Sequence, residues 1–293
     1  MAVYKKMAFA GSWYPVNADE CKASISSFLT QKKGPLSGSF LGGIVPHAGW
    51  FFSGSIACRV IASLVSSIPV DLVVLFGGHM HPLAQPFVLS HGAVQTPLGD
   101  ILVPEAIVED LVNDLVRRLD KKCDILKKTP GQFPDENTLE LQYPFIKYFF
   151  PEAKIIACCV PPSDAAITIG RAVGELAKGS SKNIKVIGST DMTHYGPNFG
   201  FTPSGIGPKS VEWVKNENDK QAICALIEME PETIIAQGLD YKNMCCAGAA
   251  AATVAACKAN GAVSAVKLDY ATSYEKSADT SFVGYSGILY SDV

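Results

Sequence analysis

The sequence predicts an α/β fold. Short, β-branched apolar runs of the kind that form buried parallel strands alternate along the chain with stretches of helical periodicity. Three of the five histidines, His47, His79 and His194, follow such runs within a few residues. Loops beyond the carboxyl ends of parallel strands meet in one crevice, so these histidines are expected to share a site. The strand-like runs lie at about 41–46, 71–77, 86–90, 154–160, 184–189, 264–270 and 281–290.

Helices are predicted where capping residues and apolar periodicity coincide. The segment that begins at Ser163-Asp164 and closes at Gly179 has both features, and the Ala-rich segment near the end of the chain has small side chains that permit close packing on the sheet. The predicted helices are Val103-Pro104 to about Leu119, 163–179, 208–227, one beginning at Pro231, and 246–260.

Two irregular stretches interrupt these elements, Lys121 to Tyr143 and Tyr195 to Pro208. The second follows His194 directly. Its length is explained equally well by a lid that closes over the crevice and by an ordinary surface loop. Because no break in composition or linker is visible, residues 1–293 are expected to form a single domain.

Composition excludes several classes of protein. With 48% hydrophobic residues, 18% charged residues and a net charge of -3, the chain has no electrostatic reason to bind nucleic acid or anionic lipid. The apolar segment at the N-terminus is too short for a signal peptide, and no 18 apolar residues run together, so we expect a cytoplasmic protein without membrane partners. The nine cysteines are irregularly spaced and predict no disulfide framework.

Two adjacent thiols, Cys245 and Cys246, lie where the Ala-rich helix is predicted to begin. A helix N-terminus favours the thiolate, which is the form that binds metals and attacks electrophiles. Adjacent residues within a helix point about 100° apart, so only one of the two thiols is expected to face the crevice. Two packed thiols beside a tight turn remain the alternative.

The histidines allow more than one interpretation. A single strand-end histidine such as His47 is usually a loop residue bonded to backbone, whereas three at strand ends favour a metal or acid–base site. His79 and His81 form a chelating pair if the chain there is extended, but a turn would leave only one facing inward. His91 has no such context and is assigned to the surface.

Asp191 and His194 are spaced i to i+3 and would lie together in a helical turn. An aspartate beside a histidine fixes its tautomer and raises its basicity, which suits a general base or the support of a metal ligand. Glu140 is another candidate carboxylate, but it is expected to be a solvated residue on a helix.

Five segments, in order and at their separations, resemble the Memo family, whose members are often named AmmeMemoRadiSam system protein B. The resemblance spans nearly the whole chain and implies an α/β/α sandwich with a mixed, largely parallel central sheet, similar to class III extradiol (LigB-type) non-haem iron dioxygenases. It also implies AMMECR-like and radical-SAM proteins as partners. The segments are Ala10-Gly11-Ser12-Trp13-Tyr14, Pro46-His47-Ala48-Gly49, Gly77-Gly78-His79, Ser189-Thr190-Asp191-Met192-Thr193-His194-Tyr195-Gly196, and Cys245.

The resemblance further implies a pocket in which His47, His79 and Cys245 bind a transition metal, with Asp191 and His194 lining it. Sulfur then replaces the carboxylate of the usual iron triad, and this donor set suits Fe(II), Cu or Zn without choosing among them.

The sequence departs from the Memo pattern at four places. The proline before the second histidine is Gly77, and the histidine of a Glu-His-Ser-x-Glu segment is Asn137. Phe9 stands where the family's opening motif has histidine, and Cys246 replaces the glycine of a Cys-Gly pair. Fewer groups are therefore available here to transfer protons, which favours a site with fewer functional side chains or one adapted to a different substrate.

The leading hypothesis is metal-dependent redox or oxygenase-like chemistry on a small molecule, with His194 handling a proton and Asp191 orienting it. A non-catalytic module that binds a peptide or partner protein is an alternative, which the resemblance implies through recognition of phosphotyrosine peptides. Recognition of the phosphate would need a basic concavity. Metal-assisted hydrolysis is another, since three protein ligands leave a coordination position open. The aromatic residues expected to contact the substrate are Trp13, Tyr14, Trp50 and Tyr195.

Overall fold

The computed structural model describes residues 3–30, 34–119 and 123–293, and its strands form one large mixed sheet and one small sheet. The strands are β1 (Tyr4–Lys5), β2 (Phe40–Val45), β3 (Leu72–Gly77), β4 (Phe87–Leu89), β5 (Ala93–Val94), β6 (Ile101–Leu102), β7 (Leu126–Lys128), β8 (Lys154–Cys159), β9 (Ile184–Ser189), β10 (His194–Tyr195), β11 (Ser264–Thr272) and β12 (Phe282–Ser291).

The large sheet has a parallel centre with antiparallel strands on either side. Its order is β10-β12-β2-β9-β3-β8-β4-β7, with β11 also paired to β12. Strands β2, β9, β3 and β8 are parallel, whereas β12 and β4 run antiparallel to their neighbours in this central group. The mixed sheet expected from the sequence is thus confirmed.

Helices cover both faces of the large sheet. Successive strand residues point to opposite faces, and in β2 a Cβ on Gly42 would meet Cys257 while one on Gly43 would meet Val60. These contacts place α10 and α2 on opposite sides, which confirms the α/β/α layering. The helices are α1 (Ala18–Thr30), α2 (Ser55–Ser63), α3 (Glu105–Arg118), α4 (Asn137–Glu140), α5 (Tyr143–Phe149), α6 (Asp164–Gly179), α7 (Pro208–Trp213), α8 (Asp219–Glu228), α9 (Pro231–Tyr241) and α10 (Ala247–Ala259).

Helix α10 packs closely on its neighbours because both sides of the contact are small. A Cβ on Gly170 of α6 would lie 2.2 Å from the carbonyl oxygen of Ala252, and one on Gly188 of β9 would lie 2.3 Å from the Thr253 hydroxyl. The close approach predicted from the Ala-rich sequence is therefore present.

The predicted elements agree with the structure within a few residues at each boundary, with informative exceptions. The segment from Lys121 to Tyr143 was expected to be irregular; Lys121 lies outside the described residues, and the rest contains β7 and α4. Both elements are too short and too polar for a periodic signal. The predicted helix at 208–227 is present as α7 and α8, joined by a π-helical turn at Val214–Asn218. Among the described helices, none has the length and apolar character needed to cross a bilayer.

Three neighbouring strands position the candidate site. Strands β2, β9 and β3 lie side by side and run in the same direction, so Val45, Ser189 and Gly77 all end at one edge of the sheet. The chain continues from these ends directly to the histidine and aspartate motifs. The expected convergence at the carboxyl edge follows from this topology.

Candidate metal centre

His47 lies two residues past β2 and is held on both its backbone and its ring. Its backbone N–H donates to Asp191 Oδ1 at 2.7 Å, and its ring Nδ1 is 3.1 Å from Ser189 Oγ. The residue is only 2% exposed. With Nδ1 engaged, Nε2 faces the sulfur of Cys245 at 3.2 Å.

His79 reaches the same place from the end of β3. Gly78 turns the chain with a φ of +101°, and its N–H donates to the Thr138 hydroxyl at 2.8 Å. The His79 ring packs edge-on against that of His47, with 5.0 Å between centroids, and its Nδ1 is 3.3 Å from Glu136 Oε1. A carboxylate on one ring nitrogen orients the other for a metal.

Cys245 lies just before α10, and its sulfur is central to the cluster. Sγ accepts the backbone N–H of Asp191 at 3.2 Å and lies 3.8 Å from Cys246 Sγ. One donor atom each from His47, His79, Cys245 and Cys246 lies within 4.8 Å of the other three. We call these four residues the donor cluster.

Cys245 is half-buried and Cys246 is 3% exposed, so Cys246 is the more deeply buried thiol although its sulfur belongs to the donor cluster. The expectation that only one of them faces the crevice used the 100° step between helical residues, but helix α10 begins only at Ala247. Cys246 has φ -128° and ψ 55°, outside the helical region, so the 100° rule does not apply to this pair.

Opposite charges stabilise one another in the cluster. Burial alone would raise the pKa of Cys245, but the hydrogen bond from Cys246 and the charge of His47 lower it well below its usual value. Burial alone would lower the pKa of His79, but Cys245 and Glu136 together raise it to about 10. The pKa of His47 is also raised, because Asp191 and Cys245 outweigh its burial. A thiolate surrounded by imidazoles is an arrangement in which a metal cation can take the place of protons.

Asp191 and His194 lie beside this cluster without being bonded to each other. Asp191 Oδ2 is 3.9 Å from Nε2 of both His47 and His194, which is beyond hydrogen-bond distance. Burial raises the pKa of Asp191 despite these imidazoles. His194 begins strand β10, so strand geometry and not the expected helical turn brings the pair together. Its buried Nε2 has no hydrogen-bond partner among the described residues.

The one-turn helix α4 supports both histidines from one side. Glu136 caps it by accepting the Thr138 N–H while also contacting His79. The Asn137 side-chain amide donates to the His47 carbonyl at 3.3 Å. The position where the Memo pattern has histidine is therefore a backbone support in this chain.

Glu140, at the end of α4, is buried, which corrects the expectation of a solvated residue. It is 3% exposed and accepts the backbone N–H groups of Ala8 and Phe9 and the Tyr14 hydroxyl at 2.7–3.0 Å. A buried carboxylate with several donors is satisfied. It fixes the N-terminal segment to the edge of the site.

A cavity of about 510 Å³ is lined by the two histidines of the donor cluster but by neither of its cysteines. Its walls are mainly apolar, and no lysine or arginine is among the described residues that line it. The basic concavity that phosphate recognition would need is therefore not found in this cavity. The residues around it are Ser12, Trp13, His47, Ala48, Gly49, Phe51, Phe52, His79, Asn137, Asp191, His194, Phe199 and Val283.

The four aromatic residues expected to contact a substrate divide into two groups. Trp13 lines the cavity and is 40% exposed. Tyr14, Trp50 and Tyr195 are buried in the core and do not line it. Trp50 stacks on Phe145 with 4.1 Å between centroids, which shows its structural use. Nearness to a motif in sequence did not determine where these rings point.

The remaining histidines lie outside the donor cluster. His81 is exposed, and its Nδ1 accepts the Leu83 N–H at 3.2 Å. His91 is half-buried, and its Nδ1 is 2.8 Å from the Ser90 hydroxyl. Of the two histidines in the His79-Met80-His81 segment, only His79 belongs to the cluster.

Sequence reasoning missed the residues that orient the donors. Glu136 and Ser189 have no spacing that marks them, although Ser189 is the last residue of a predicted strand and Glu136 precedes a short helix. The donor chemistry nevertheless fits a transition metal, since two imidazoles and thiolate sulfur are its usual ligands. The Nε2 of His194 is buried without a hydrogen-bond partner among the described residues, and nearby Cys245 raises the pKa of this imidazole despite its burial.

Comparisons with known proteins show which family the chain resembles along its length. The Memo family, described as Memo-like protein, matches residues 5–289. MEMO1 family protein MK0963 of Methanopyrus kandleri is 28% identical over 97% of each chain. MEMO1 family protein MJ0403 of Methanocaldococcus jannaschii is 29% identical over 96% of this chain and 97% of its own.

A solved structure shares the fold. The uncharacterised protein JW3007 from Escherichia coli K12 superimposes with a TM-score of 0.52 at 12% identity, covering 85% of this chain and 98% of its own. At this identity the likeness concerns the fold alone.

Proposed function

We propose that this chain, which belongs to the Memo family, binds a transition metal through His47, His79 and Cys245. We further propose that it uses the metal for redox chemistry on a small molecule. One observation carries the proposal. Donor atoms from residues up to 198 positions apart in sequence converge within 4.8 Å, and the two histidines among them line a cavity. Loop residues without a shared ligand would have little reason to place imidazole and sulfur together.

The donors favour transition metals over hard cations. Thiolate and imidazole ligands suit copper, iron and zinc, whereas magnesium and calcium prefer oxygen. A bound iron or copper ion would supply one-electron exchange with a molecule in the cavity. The protein's own part is to hold the donors rigidly, which Ser189 does for His47 and Glu136 does for His79.

His194 is the proposed proton carrier, with Asp191 as its neighbour. The His194 Nε2 atom lacks a hydrogen-bond partner among the described residues and belongs to a side chain that lines the cavity. A substrate group that enters the cavity could therefore exchange a proton with Nε2 directly. Asp191 supports the arrangement by fixing the backbone of His47 and lying 3.9 Å from the His194 ring.

The cavity walls indicate the class of substrate. Trp13, Phe51 and Phe199 present exposed aromatic surface there. Apolar walls above a polar floor select small, largely apolar molecules with one or two polar groups. We therefore propose such a molecule as the substrate.

Metal content tests the first half of the proposal. The protein would be purified without chelators, loaded separately with Fe(II), Cu(I) and Zn(II) under anaerobic conditions, and analysed by elemental mass spectrometry. We expect about one metal per chain, and a loss of at least tenfold in affinity for Cys245→Ser and for His79→Ala. Matched controls are Cys224→Ser, an exposed thiol, and His81→Ala, two residues from His79. Unchanged affinity in Cys245→Ser would remove sulfur from the ligand set.

Turnover tests the second half. Iron- or copper-loaded protein is expected to consume oxygen or a reductant with small apolar substrates, and His194→Ala to slow that reaction while retaining the metal. Ester or amide hydrolysis supported by zinc, with no redox turnover by iron or copper, would replace this function with metal-assisted hydrolysis.

A further inference from the structure

The donor cluster contains one more sulfur than the proposed ligand set uses. Cys246 is 3% exposed, and its sulfur is 3.8 Å from that of Cys245. It also belongs to the group whose donor atoms all lie within 4.8 Å of one another. A thiol that only filled space could point into any part of the core, but the sulfur of Cys246 lies within 4.8 Å of a ring nitrogen of His47 and of His79.

The spacing of the two sulfurs suits a shared metal. In a tetrahedral site with metal–sulfur bonds of about 2.3 Å, two sulfurs are separated by about 3.8 Å. The separation of Cys245 Sγ and Cys246 Sγ is 3.8 Å. A disulfide would require the sulfurs to approach to about 2.05 Å.

The backbone fixes this spacing by two hydrogen bonds to the loop after β9. The Cys245 N–H donates to the carbonyl of Asp191 at 3.2 Å, and the Cys246 N–H donates to the Thr190 hydroxyl at 3.0 Å. Because each N–H is held, the two side chains keep their relative direction. The pair is therefore organised before any ligand binds, which lowers the entropic cost of chelation.

We propose that Cys246 is a fourth protein ligand, so that the site is a tetrahedral centre of two histidines and two cysteines with preference for Cu(I) and Zn(II) over Fe(II). The inference rests on the proposed function, because it concerns the same metal. Two thiolates and two imidazoles are soft to borderline donors and match tetrahedral ions. As the metal–sulfur bond forms, the Cys246 thiol releases its proton to solvent. Of the two favoured metals, copper alone supports the redox chemistry proposed above.

Cobalt substitution counts the thiolates. Co(II) bound in the site gives a thiolate-to-cobalt charge-transfer band whose intensity grows with each sulfur ligand. We expect the band to fall to about half in Cys246→Ala with one cobalt still bound per chain. Affinity for Zn(II), measured by chelator competition, should weaken at least tenfold. Cys246→Gly provides a second variant if the alanine variant fails to fold, and Cys224→Ser is the matched control.

The outcomes separate the two proposals. A full-intensity band and an affinity within twofold of the unsubstituted protein in both Cys246 variants would overturn ligation by Cys246 and leave the three-ligand site intact. Failure of the unsubstituted protein to bind Co(II), Zn(II) or Cu(I) at all would overturn the proposed metal binding and this inference with it. Tighter binding of Fe(II) than of Cu(I) and Zn(II) would overturn the stated preference.

Discussion

The chain contains two pairs of adjacent cysteines, and their surroundings differ almost completely. Cys158 and Cys159 end the central strand β8, where both are buried in the apolar core. Cys245 and Cys246 lie before helix α10, where both sulfurs join two imidazoles. Burial raises the pKa of Cys158 to about 12, whereas the neighbours of Cys245 lower its pKa below the usual value despite burial.

Backbone conformation explains this difference better than residue type does. In a strand, successive side chains point to opposite faces, so Cys158 and Cys159 cannot direct both sulfurs to one ligand. The irregular backbone before α10 brings the sulfurs of Cys245 and Cys246 to 3.8 Å. An identical dipeptide is thus part of the core in one place and a pair of donors in another.

The largest expected contrast is in thiol reactivity. In metal-free protein at pH 7, iodoacetamide should alkylate Cys245 at least about 100-fold faster than Cys158 or Cys159, because those two are buried and protonated. Between pH 7 and pH 9 the alkylation rate at Cys158 should rise continuously, because its pKa lies near 12 and its thiolate fraction keeps increasing over this range. Mass spectrometry of the digested protein gives each rate. Similar rates at both pairs would contradict the comparison.

The free energy of unfolding should also depend on pH through a buried carboxyl, Asp219. This residue accepts the backbone N–H of Thr193, two residues past Asp191. Burial raises the pKa of Asp219 from 3.8 to about 6, although Thr193 and Tyr270 donate hydrogen bonds to it. Its ionised form is therefore disfavoured in the folded state, and the resulting penalty is fully present above pH 6. It decreases as the pH falls through 6, because the folded carboxyl takes up a proton, and is lost completely only below the unfolded pKa of 3.8.

Asp219→Asn removes this titration. Relative to the variant, the unsubstituted protein should gain up to about 3 kcal/mol in unfolding free energy between pH 7 and pH 4. Urea unfolding of both proteins across this range measures the difference, from which titrations common to both cancel. A constant difference would show that Asp219 does not titrate there.

A third test concerns a contact between the two regions. A Cβ on Gly248, in the first turn of α10, would lie 2.5 Å from the backbone of Pro161, two residues past β8. Gly248→Ala should move the start of the helix, lower stability by about 1–3 kcal/mol and weaken metal binding. Thermal unfolding and chelator competition report the two effects. Gly179→Ala, where a Cβ meets nothing within 4 Å, is the control and should change neither.

The smallest expected effect is that of Cys158→Ser. A hydroxyl in this apolar position should lower the unfolding free energy by about 1–2 kcal/mol while leaving metal affinity unchanged. Cys245→Ser is expected to show the opposite pattern, with little loss of stability in metal-free protein and a large loss of affinity. Urea unfolding and metal titration of both variants measure this. A loss of affinity in Cys158→Ser would show that the core pair also serves the site.

Much of the fold could be predicted because buried parallel strands leave a strong signal. Strand β9 was predicted with its observed boundaries at 184–189, since it is buried along its whole length. The two-residue strands β1, β5, β6 and β10 are too short for any period to be visible. Helix α4, with four residues, escaped prediction for the same reason.

The site could be predicted only as far as backbone topology determines it. His47 and His79 follow β2 and β3, the parallel strands on either side of β9, and Cys245 precedes a helix, so their placement could be anticipated. The direction of a side chain in an irregular segment could not, so the 3.8 Å approach of the Cys246 sulfur to that of Cys245 was not anticipated. Nor could the direction of Tyr195 in the two-residue strand β10, whose ring stacks on Phe282 in the core.

Helix α4 connects the metal donors to the far wall of the cavity. At its start Glu136 contacts the ring of His79, and at its end Glu140 holds the backbone of Ala8 and Phe9, close to Trp13 in the cavity wall. A molecule in the cavity that moved this turn would also move a donor ring. By reciprocity, any small molecule that changes the affinity for the ion must itself be bound more or less tightly, by the same factor, when the ion is present.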